Sequence, residues 1–404
     1  PQPAKGLKVS SVSYNSVKLS WTKIGCTNYR VFQLKNGQWK EIAKTTSTSY
    51  TVKNLSQKTT YKFKIRACKT DDKKANHYGK YSAEVSATTS KAPAVVTPVS
   101  QHGQLSVKGA NIVDKNGKIF KIKGMSTHGI MWEDFSDILT KDSLKVLRDD
   151  WKVNTIRIAM YTEEWGGYCT ENGKYQAQAK QKVKTGVENA KSLGMYAIID
   201  WHVLNDQNPN NHKNEAIKFF TEMAKTYKDY NNVIYEICNE PNGGVTWTGG
   251  IKSYCQSVVS TIRKYDSDAI IICGTGTWSQ DIDQVLGNKL SDKNCVYALH
   301  FYANTHTDWL RNRLKNCYNK GLPVLVSEFG TCDASGNGGY NSAESTKWLK
   351  LLDSLKVGYI NWSACGKSET ASAFVSGTNL KAIKSGTSQL TASGKFIRDW
   401  YRNH

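Results

Sequence analysis

From residue 104 to the end of the 404-residue chain, short apolar runs rich in β-branched residues alternate with helical patterns. The runs are 121–125, 154–158, 195–199, 233–237, 269–272, 296–299, 323–326 and 357–360. Such near-continuous apolar strands suit a parallel sheet covered by helices on its outer face. Between two of them, Val183, Val187, Ala190 and Leu193 recur at helical spacing, and Gly194 stands where a left-handed cap belongs. Thr140 precedes another helix that carries Leu144 and Leu147. Eight strands, each expected to be followed by a helix, over about 300 residues predict a closed (β/α)8 barrel (a TIM barrel) and not an open doubly wound sheet. No GxGxxG or phosphate loop follows any run, which weakens a nucleotide-binding reading. Ahead of the barrel a hairpin is predicted: 105–113, a turn at Asn116-Gly117, then 119–122.

Residues 1–90 keep a different rhythm. Apolar side chains alternate with polar ones at Val17/Leu19/Trp21, Tyr29/Val31, Tyr50/Val52, Tyr61/Phe63/Ile65/Ala67 and Val85/Ala87. Short bursts of period two with polar turns between them predict an all-β sandwich. The segment resembles a fibronectin type III domain in Leu19-Ser20-Trp21, in Leu55 six residues before Tyr61, and in the closing Ala87-Thr88-Thr89. The resemblance implies an immunoglobulin-like sandwich in which the Tyr61 hydroxyl closes a corner. No Arg-Gly-Asp tripeptide supports an integrin-type role. Residues 91–103, KAPAVVTPVSQHG, carry Pro93 and Pro98 among small residues and are expected to be a semi-stiff linker, leaving 104–404 as the second domain.

Charge is uneven. Residues 1–92 hold 18 Lys+Arg against 4 Asp+Glu, and the remainder 37 against 30. A basic small domain can attract polyanions, but these lysines alternate with strand residues, as in Lys62-Phe63-Lys64-Ile65, and no nucleic-acid motif accompanies them. A solvated face is the expectation. The ten cysteines form no CxxC pair or Cys/His cluster, so a zinc site is not expected and free thiols are the default. One pair, Cys332 and Cys365, follows two strands expected to be neighbours and is the candidate for a disulfide. No stretch approaches the roughly 20 apolar residues of a membrane helix. The opening PQPAKGLKVS lacks the charged-then-apolar pattern of a signal peptide, so it reads as mature or trimmed, and export is argued on other grounds.

In a parallel barrel the chemistry sits where strands end at their C-termini. Those ends read Ser126-Thr127-His128, Arg157, Asp200-Trp201-His202, Asn239-Glu240-Pro241, His300-Phe301-Tyr302, Ser327-Glu328-Phe329-Gly330 and Asn361-Trp362. Burying so many polar groups is costly unless they converge on one site. Two of the ends carry glutamates, Glu240 and Glu328. A pair of opposed carboxylates is what glycosidic cleavage needs: one protonates the departing oxygen and the other attacks or activates water.

On these residues the second domain resembles glycoside hydrolase family 5, in particular its bacterial endoglucanases. VIYEICNEPNG (233–243) and VLVSEFGT (324–331) look like the two signature strands, joined by MSTHGIMW (125–132), NTIRIAMYT (154–162), AIIDWHVL (197–204), GTGTWSQDID (274–283), ALHFYA (298–303) and NWSACGKSE (361–369). The resemblance implies a retaining double displacement without metal or organic cofactor, with Glu240 as acid/base and Glu328 as nucleophile. It further implies that Arg157 and Tyr302 hold the Glu328 carboxylate and that Asn239 faces the sugar 2-hydroxyl. His128, His202 and His300 are expected to line the cleft and orient the sugar or the acid. Lys367 and Glu369 match positions that bind sugar hydroxyls. Cys332, Cys365 and Gly366 depart from the common pattern, in loops that set contacts with the polymer.

Aromatic rings offer a stacking surface for the apolar C–H face of a pyranose. Trp362 is the expected platform beside the cleaved bond, with Trp132, Trp278, Tyr161 and also Trp201 extending the track. The expected partner is a polysaccharide, cellulose or another β-glucan, met outside the cell by a monomeric chain that engages neither nucleic acid nor membrane. A mannanase, xylanase or mixed-linkage glucanase would use the same chemistry. A catalytically silent carbohydrate-binding or adhesion protein would use the first domain, although that domain lacks a planar aromatic triplet; only Trp39 is a candidate for exposure there.

Overall fold

The computed structural model describes residues 1–404 and divides into two compact units, 1–95 and 96–404. In the first, β1 (Lys8–Val12), β2 (Val17–Ser20) and β5 (Ser49–Val52) form one antiparallel sheet. The second sheet contains β3 (Asn28–Lys35), β4 (Gln38–Thr45), β6 (Thr60–Thr70), β7 (Asn76–Tyr78) and β8 (Val85–Thr88). The alternation anticipated from sequence sets the inner faces: Val17, Leu19, Trp21, Tyr29, Val31, Phe63, Ile65 and Ala67 pack into one core. The Ser56 amide donates to the Tyr61 hydroxyl at 2.9 Å, the corner bond implied by the resemblance. Trp39 is only half-buried, and the Lys64 ammonium lies 4.2 Å from its ring centre. Part of the basic face is thus seated on aromatic rings.

The seam is shorter than the linker expected from composition. Thr97 opens a helix at Pro98–His102, its hydroxyl accepting from the Ser100 amide while the Ser100 hydroxyl bonds the Thr97 amide. Val99 then donates to the Gly194 carbonyl at 2.9 Å, tying this segment to the barrel unit. The predicted long hairpin is broken at Gly109. β9 (Ser106–Lys108) and β10 (Asn111–Val113) turn there at φ +62°, and Asn116-Gly117 forms a second, separate turn around the Asp114 carboxylate.

Eight parallel strands close the barrel in chain order: β11 (Lys123–Ser126), β12 (Thr155–Tyr161), β13 (Tyr196–His202), β14 (Val233–Glu236), β15 (Ile271–Cys273), β16 (Cys295–Tyr302), β17 (Val324–Gly330) and β18 (Tyr359–Asn361), which pairs back to β11. Seven long helices cover the outside. The exception is the β15–β16 connection, where only single turns at Gly276–Ser279 and Ile282–Val285 stand in place of the expected helix.

Strand parity sorts the side chains. On β13, Ala197, Ile199 and Trp201 face the helices, whereas Tyr196 and Ile198 enter the barrel interior with Ile234, Ile272, Ala298, Leu325 and Ile360. Leu105, Ile112 and Phe120 of the hairpin segment plug the N-terminal end of that interior. Asp200 and His202 continue the inward row and emerge at the opposite mouth. β17 needs one adjustment: against β16, Ala298 pairs with Leu325 but His300 pairs with Glu328, so β17 carries one extra residue. That bulge allows the consecutive Ser327 and Glu328 both to serve the mouth.

The 176–193 helix buries Val183, Val187, Ala190 and Leu193 against β12 and β13, the valines and the leucine each worth about 1.5–3 kcal/mol. Gly194 ends it at φ +66°, and a Cβ there would collide with the Thr97 side chain. Gly194→Ala is expected to destabilise the barrel unit by at least about 1–2 kcal/mol, the cost of a left-handed L-residue. Urea unfolding followed by tryptophan fluorescence checks it.

Candidate active site

The inward row of β12 begins the site. Arg157 is fully buried, and its guanidinium is surrounded by acceptors. Nε lies 2.7 Å from Glu236 Oε2, Nη1 3.1 Å from Glu328 Oε2, Nη2 3.0 Å from Asp200 Oδ2 and 2.6 Å from Asn239 Oδ1. Three buried carboxyls therefore share one permanent cation. Burial, with Glu236 and Glu328 nearby, pushes Asp200 well above the usual range against the pull of Arg157. Glu236 is also buried, but Arg157 and His300 outweigh this and bring its pKa down to about 2.

Glu328, on the bulged strand, accepts from the Tyr302 hydroxyl at 2.8 Å as well as from Arg157. Burial works against its charge, yet His300, Arg157 and the Tyr302 hydrogen bond together hold its pKa below the ordinary glutamate value. Tyr302 itself is pushed well up by burial and by Glu328, so it keeps the proton it donates. Glu240 differs. Burial and the negative charge of Glu328 raise it to about 7, with the His300 hydrogen bond acting in the other direction.

His300 connects Glu240 to the floor of the site. Its Nδ1 is 2.9 Å from Glu240 Oε1 and its Nε2 2.9 Å from Ser327 Oγ. The Ser327 hydroxyl donates to Glu236 Oε1 at 2.7 Å, so its oxygen is free to accept the Nε2 proton. That fixes Nε2 as a protonated nitrogen and turns Nδ1 to the Glu240 carboxyl. Burial opposes charging the ring, but the carboxylates of Glu236, Glu240 and Glu328 prevail and raise His300 to about 9. His202 is the reverse case. Asn239 Nδ2 donates to its Nε2 at 3.2 Å, and its Nδ1 lies 2.6 Å from Asp200. Burial and the adjacent Arg157 push it well down, so it stays neutral.

Asn239 is committed at both ends: its oxygen to Arg157, and its amide hydrogens to His202 and the Val203 carbonyl at 3.1 Å. A sugar hydroxyl would have to displace one of these. His128 accepts from the Gly129 amide at Nδ1, which turns Nε2 toward Glu369, 3.5 Å away. Lys367 lies 2.6 Å from the other oxygen of Glu369. These two partners hold that carboxyl low against its burial.

A cleft of about 320 Å³ brings together His128, Trp132, Tyr161, His202, Trp278, Trp362, Lys367 and Glu369 with Glu240, Glu328 and Tyr302. A second cavity, about 420 Å³, continues past Glu240 along Trp278, Gln280, His300 and His306. Trp362 forms one wall, its ring stacked on His202 at 5.2 Å. Trp201 is not part of the track. Its odd position on β13 turns it outward, where it is fully buried between Tyr168, Phe219 and Phe220. Cys332 and Cys365 are free thiols, like the other eight, and Cys365 Sγ sits 3.1 Å from Ser372 Oγ.

Sequence reading passed over the floor. Glu236 sits two residues after the inward Ile234 in an otherwise apolar run, and that parity was the available signal. Ser327 carries no signal beyond its place in a strand end. Glu164, on the cleft wall and raised by burial to about 7, left no signal beyond following β12.

Donor atoms of Glu240, His300 and Glu328 lie within 4.8 Å of one another, the one His/Cys/Asp/Glu group whose atoms converge as metal ligands do. The atoms are already taken. His300 Nδ1 and Glu240 Oε1 bond each other, both Glu328 oxygens accept from Tyr302 and Arg157, and the guanidinium lies 3.1 Å from Glu328. A second cation does not fit that set.

The description Cellulase (glycosyl hydrolase family 5) matches residues 113–368, and that of a fibronectin type III domain matches residues 1–88. Endoglucanase N of Pectobacterium atrosepticum is 49% identical over 309 residues, 76% of this chain and 67% of that protein. Endoglucanase 5 of Pectobacterium carotovorum subsp. carotovorum is also 49% identical, over 76% of this chain and 59% of its own length. The chain thus spans about three-fifths to two-thirds of these relatives. Among solved structures, the catalytic domain of Thermobifida fusca endoglucanase Cel5A in complex with cellotetraose superposes with a TM-score of 0.70 at 34% identity, covering 76% of this chain and 100% of that one.

Arg157→Met is expected to cost the barrel unit about 3–5 kcal/mol at neutral pH, because it strands buried carboxylates. Without the cation their folded pKa values rise above the unfolded ones, so the penalty exists at high pH and fades as protons bind. Calorimetric Tm of wild type and variant across pH 4–8 checks that narrowing.

Proposed function

The chain belongs to glycosyl hydrolase family 5, and from that premise we propose that it is a retaining endo-β-1,4-glucanase, a cellulase, with Glu240 as general acid/base and Glu328 as nucleophile. One observation carries the assignment: carboxylate oxygens of the two glutamates lie within 4.8 Å of each other. An inverting pair stands about 6.5–9.5 Å apart to admit a water, whereas about 5–5.5 Å suits direct attack.

In the first step the Glu328 carboxylate attacks the anomeric carbon, the glycosidic C–O bond breaks, and the Glu240 proton passes to the departing oxygen. A glycosyl ester on Glu328 results. In the second, Glu240 takes a proton from a water whose oxygen attacks the same carbon and expels Glu328. Two inversions retain the configuration. Esterification removes the negative charge of Glu328, one of the two main causes of the raised Glu240 pKa. Glu240 is therefore an acid in the first step and a readier base in the second. Arg157 and Tyr302 hold the nucleophile, His300 positions the acid, and Trp362 is the platform beside the cleaved bond. Asn239 is the residue facing the sugar 2-hydroxyl. His128, Trp132, Tyr161, His202, Trp278, Lys367 and Glu369 bind the flanking sugars. No step draws on a metal or organic cofactor.

The endoglucanase relatives favour a β-1,4-glucan over mannan or xylan. No helix is long and apolar enough to cross a membrane. An insoluble polymer cannot enter a cell, so the monomeric chain works outside it, with unit 1–95 as a spacer.

Reducing-sugar release is expected on carboxymethyl-cellulose and not on β-mannan or xylan. Glu328→Gln is expected to abolish it. Glu240→Gln is expected to lose roughly 10²–10⁴-fold on cello-oligosaccharides, yet far less in the glycosylation step of a dinitrophenyl cellobioside, whose leaving group needs no proton. Equal losses on both substrates would reverse the roles. The kcat/KM profile is expected to fall on the alkaline side as Glu240 loses its proton near pH 7. Its acid limb is expected below the ordinary glutamate range, where Glu328 is neutralised.

A further inference from the structure

Trp165 is three-quarters exposed, far more than Trp278 or Trp309, which are about half exposed. Leaving such a ring in water forgoes about 1.5–3 kcal/mol of burial, and nothing in the fold requires it. Its backbone, in contrast, is firmly held. The Gly167 amide donates to the Glu164 carbonyl at 2.7 Å, closing a tight turn with Trp165 at its second position. Gly166 supplies the φ of +75° that the third position demands. The Trp165 carbonyl accepts from Trp132 Nε1 at 3.0 Å, so the turn is tied to the cleft wall. Behind it, the Tyr168 and Cys169 amides bond the Tyr161 and Thr162 carbonyls at 2.9 Å. An exposed indole on a fixed backbone is a preorganised stacking surface.

The surface lies on a groove of about 570 Å³ whose aromatic lining is Trp132, Phe135 and Trp165. The groove shares Trp132 and Lys367 with the catalytic cleft. The cavity past Glu240 shares Glu240, Trp278 and Tyr302 with the cleft and no residue with the groove. The cleft therefore lies between the two. The portion that departs with the Glu240 proton occupies the Trp278 side, which puts the groove on the other, glycone side. We infer that the Trp165 groove is a distal glycone subsite that takes a further glucosyl unit toward the non-reducing end of the same β-1,4-glucan chain. The indole stacks on the apolar C–H face of that sugar. This inference rests on the glucanase reading and on its choice of acid.

The test is calorimetric titration of the full chain, made non-turning by Glu328→Gln, with the series from cellobiose to cellohexaose. Adding Trp165→Ala is expected to weaken cellohexaose roughly tenfold, the scale of one aromatic contact. Cellobiose and cellotriose are expected to keep their affinity, and Trp165→Tyr to recover most of the loss. An unchanged cellohexaose affinity overturns the subsite. So does an equal loss at every length, which would mark a distorted cleft. A Glu328→Gln chain that still cleaves cellohexaose, or binds none of the series, fails the parent reading instead, and the two failures are distinguishable before Trp165 is touched.

Discussion

One guanidinium sets the terms for the mouth of this barrel. Asp200, Glu236 and Glu328 stand on three different strands, the first two turned inward by strand parity and the third by the β17 bulge, and Arg157 lies within 3.1 Å of each. Isolated carboxylates in such a place would take up protons. With Arg157 among them, Glu236 and Glu328 are held below their ordinary range, while burial keeps Asp200 above its own. The same cation orients the Asn239 amide, which in turn fixes the His202 tautomer. Replacing it with a neutral side chain would therefore disturb charge and geometry together.

Most of this arrangement was legible because barrel chemistry is written at strand ends. Apolar runs that repeatedly finish in Arg, Asn, Glu, His and Trp located the mouth and the two glutamates that face each other there. What escaped depends on geometry that residue order encodes weakly. Trp201 sits between Asp200 and His202 in sequence yet faces the helices, since neighbours on a strand point to opposite sides. Glu236 and Ser327 lie on the inward row but one layer deeper than the residues that reach the cleft. The bulge in β17, which lets Ser327 and Glu328 share a face, leaves no residue signature in VLVSEFGT.

Loops and seams were read less well, for a related reason. Composition marked 91–103 as a linker, but Thr97, Ser100 and the carbonyl at Gly194 supply the cap and anchor that make its second half part of the barrel unit. Asn116-Gly117 does turn, as its residues ask, while Gly109 turns first and shortens the strand. Local preference names candidate turns, and the tertiary contacts around Ile112 and Leu105 decide which of them bound the plug of the barrel.

The two glutamates are the same residue type, Glu328 buried and Glu240 mostly so, and joined through one network, so their different character must come from position. Glu328 meets the network at Arg157 and Tyr302, two donors that favour its ionised form. Glu240 meets it only at His300, whose other nitrogen is engaged by Ser327 and, through it, by Glu236. Glu240 therefore gives up one hydrogen bond at most when it takes a proton, whereas a proton arriving at Glu328 must displace a guanidinium or a phenol hydrogen bond. Exchanging the roles would require moving Arg157, because no second permanent cation faces Glu240 at hydrogen-bonding distance. The asymmetry lies in the floor of the barrel and not in the carboxylates themselves.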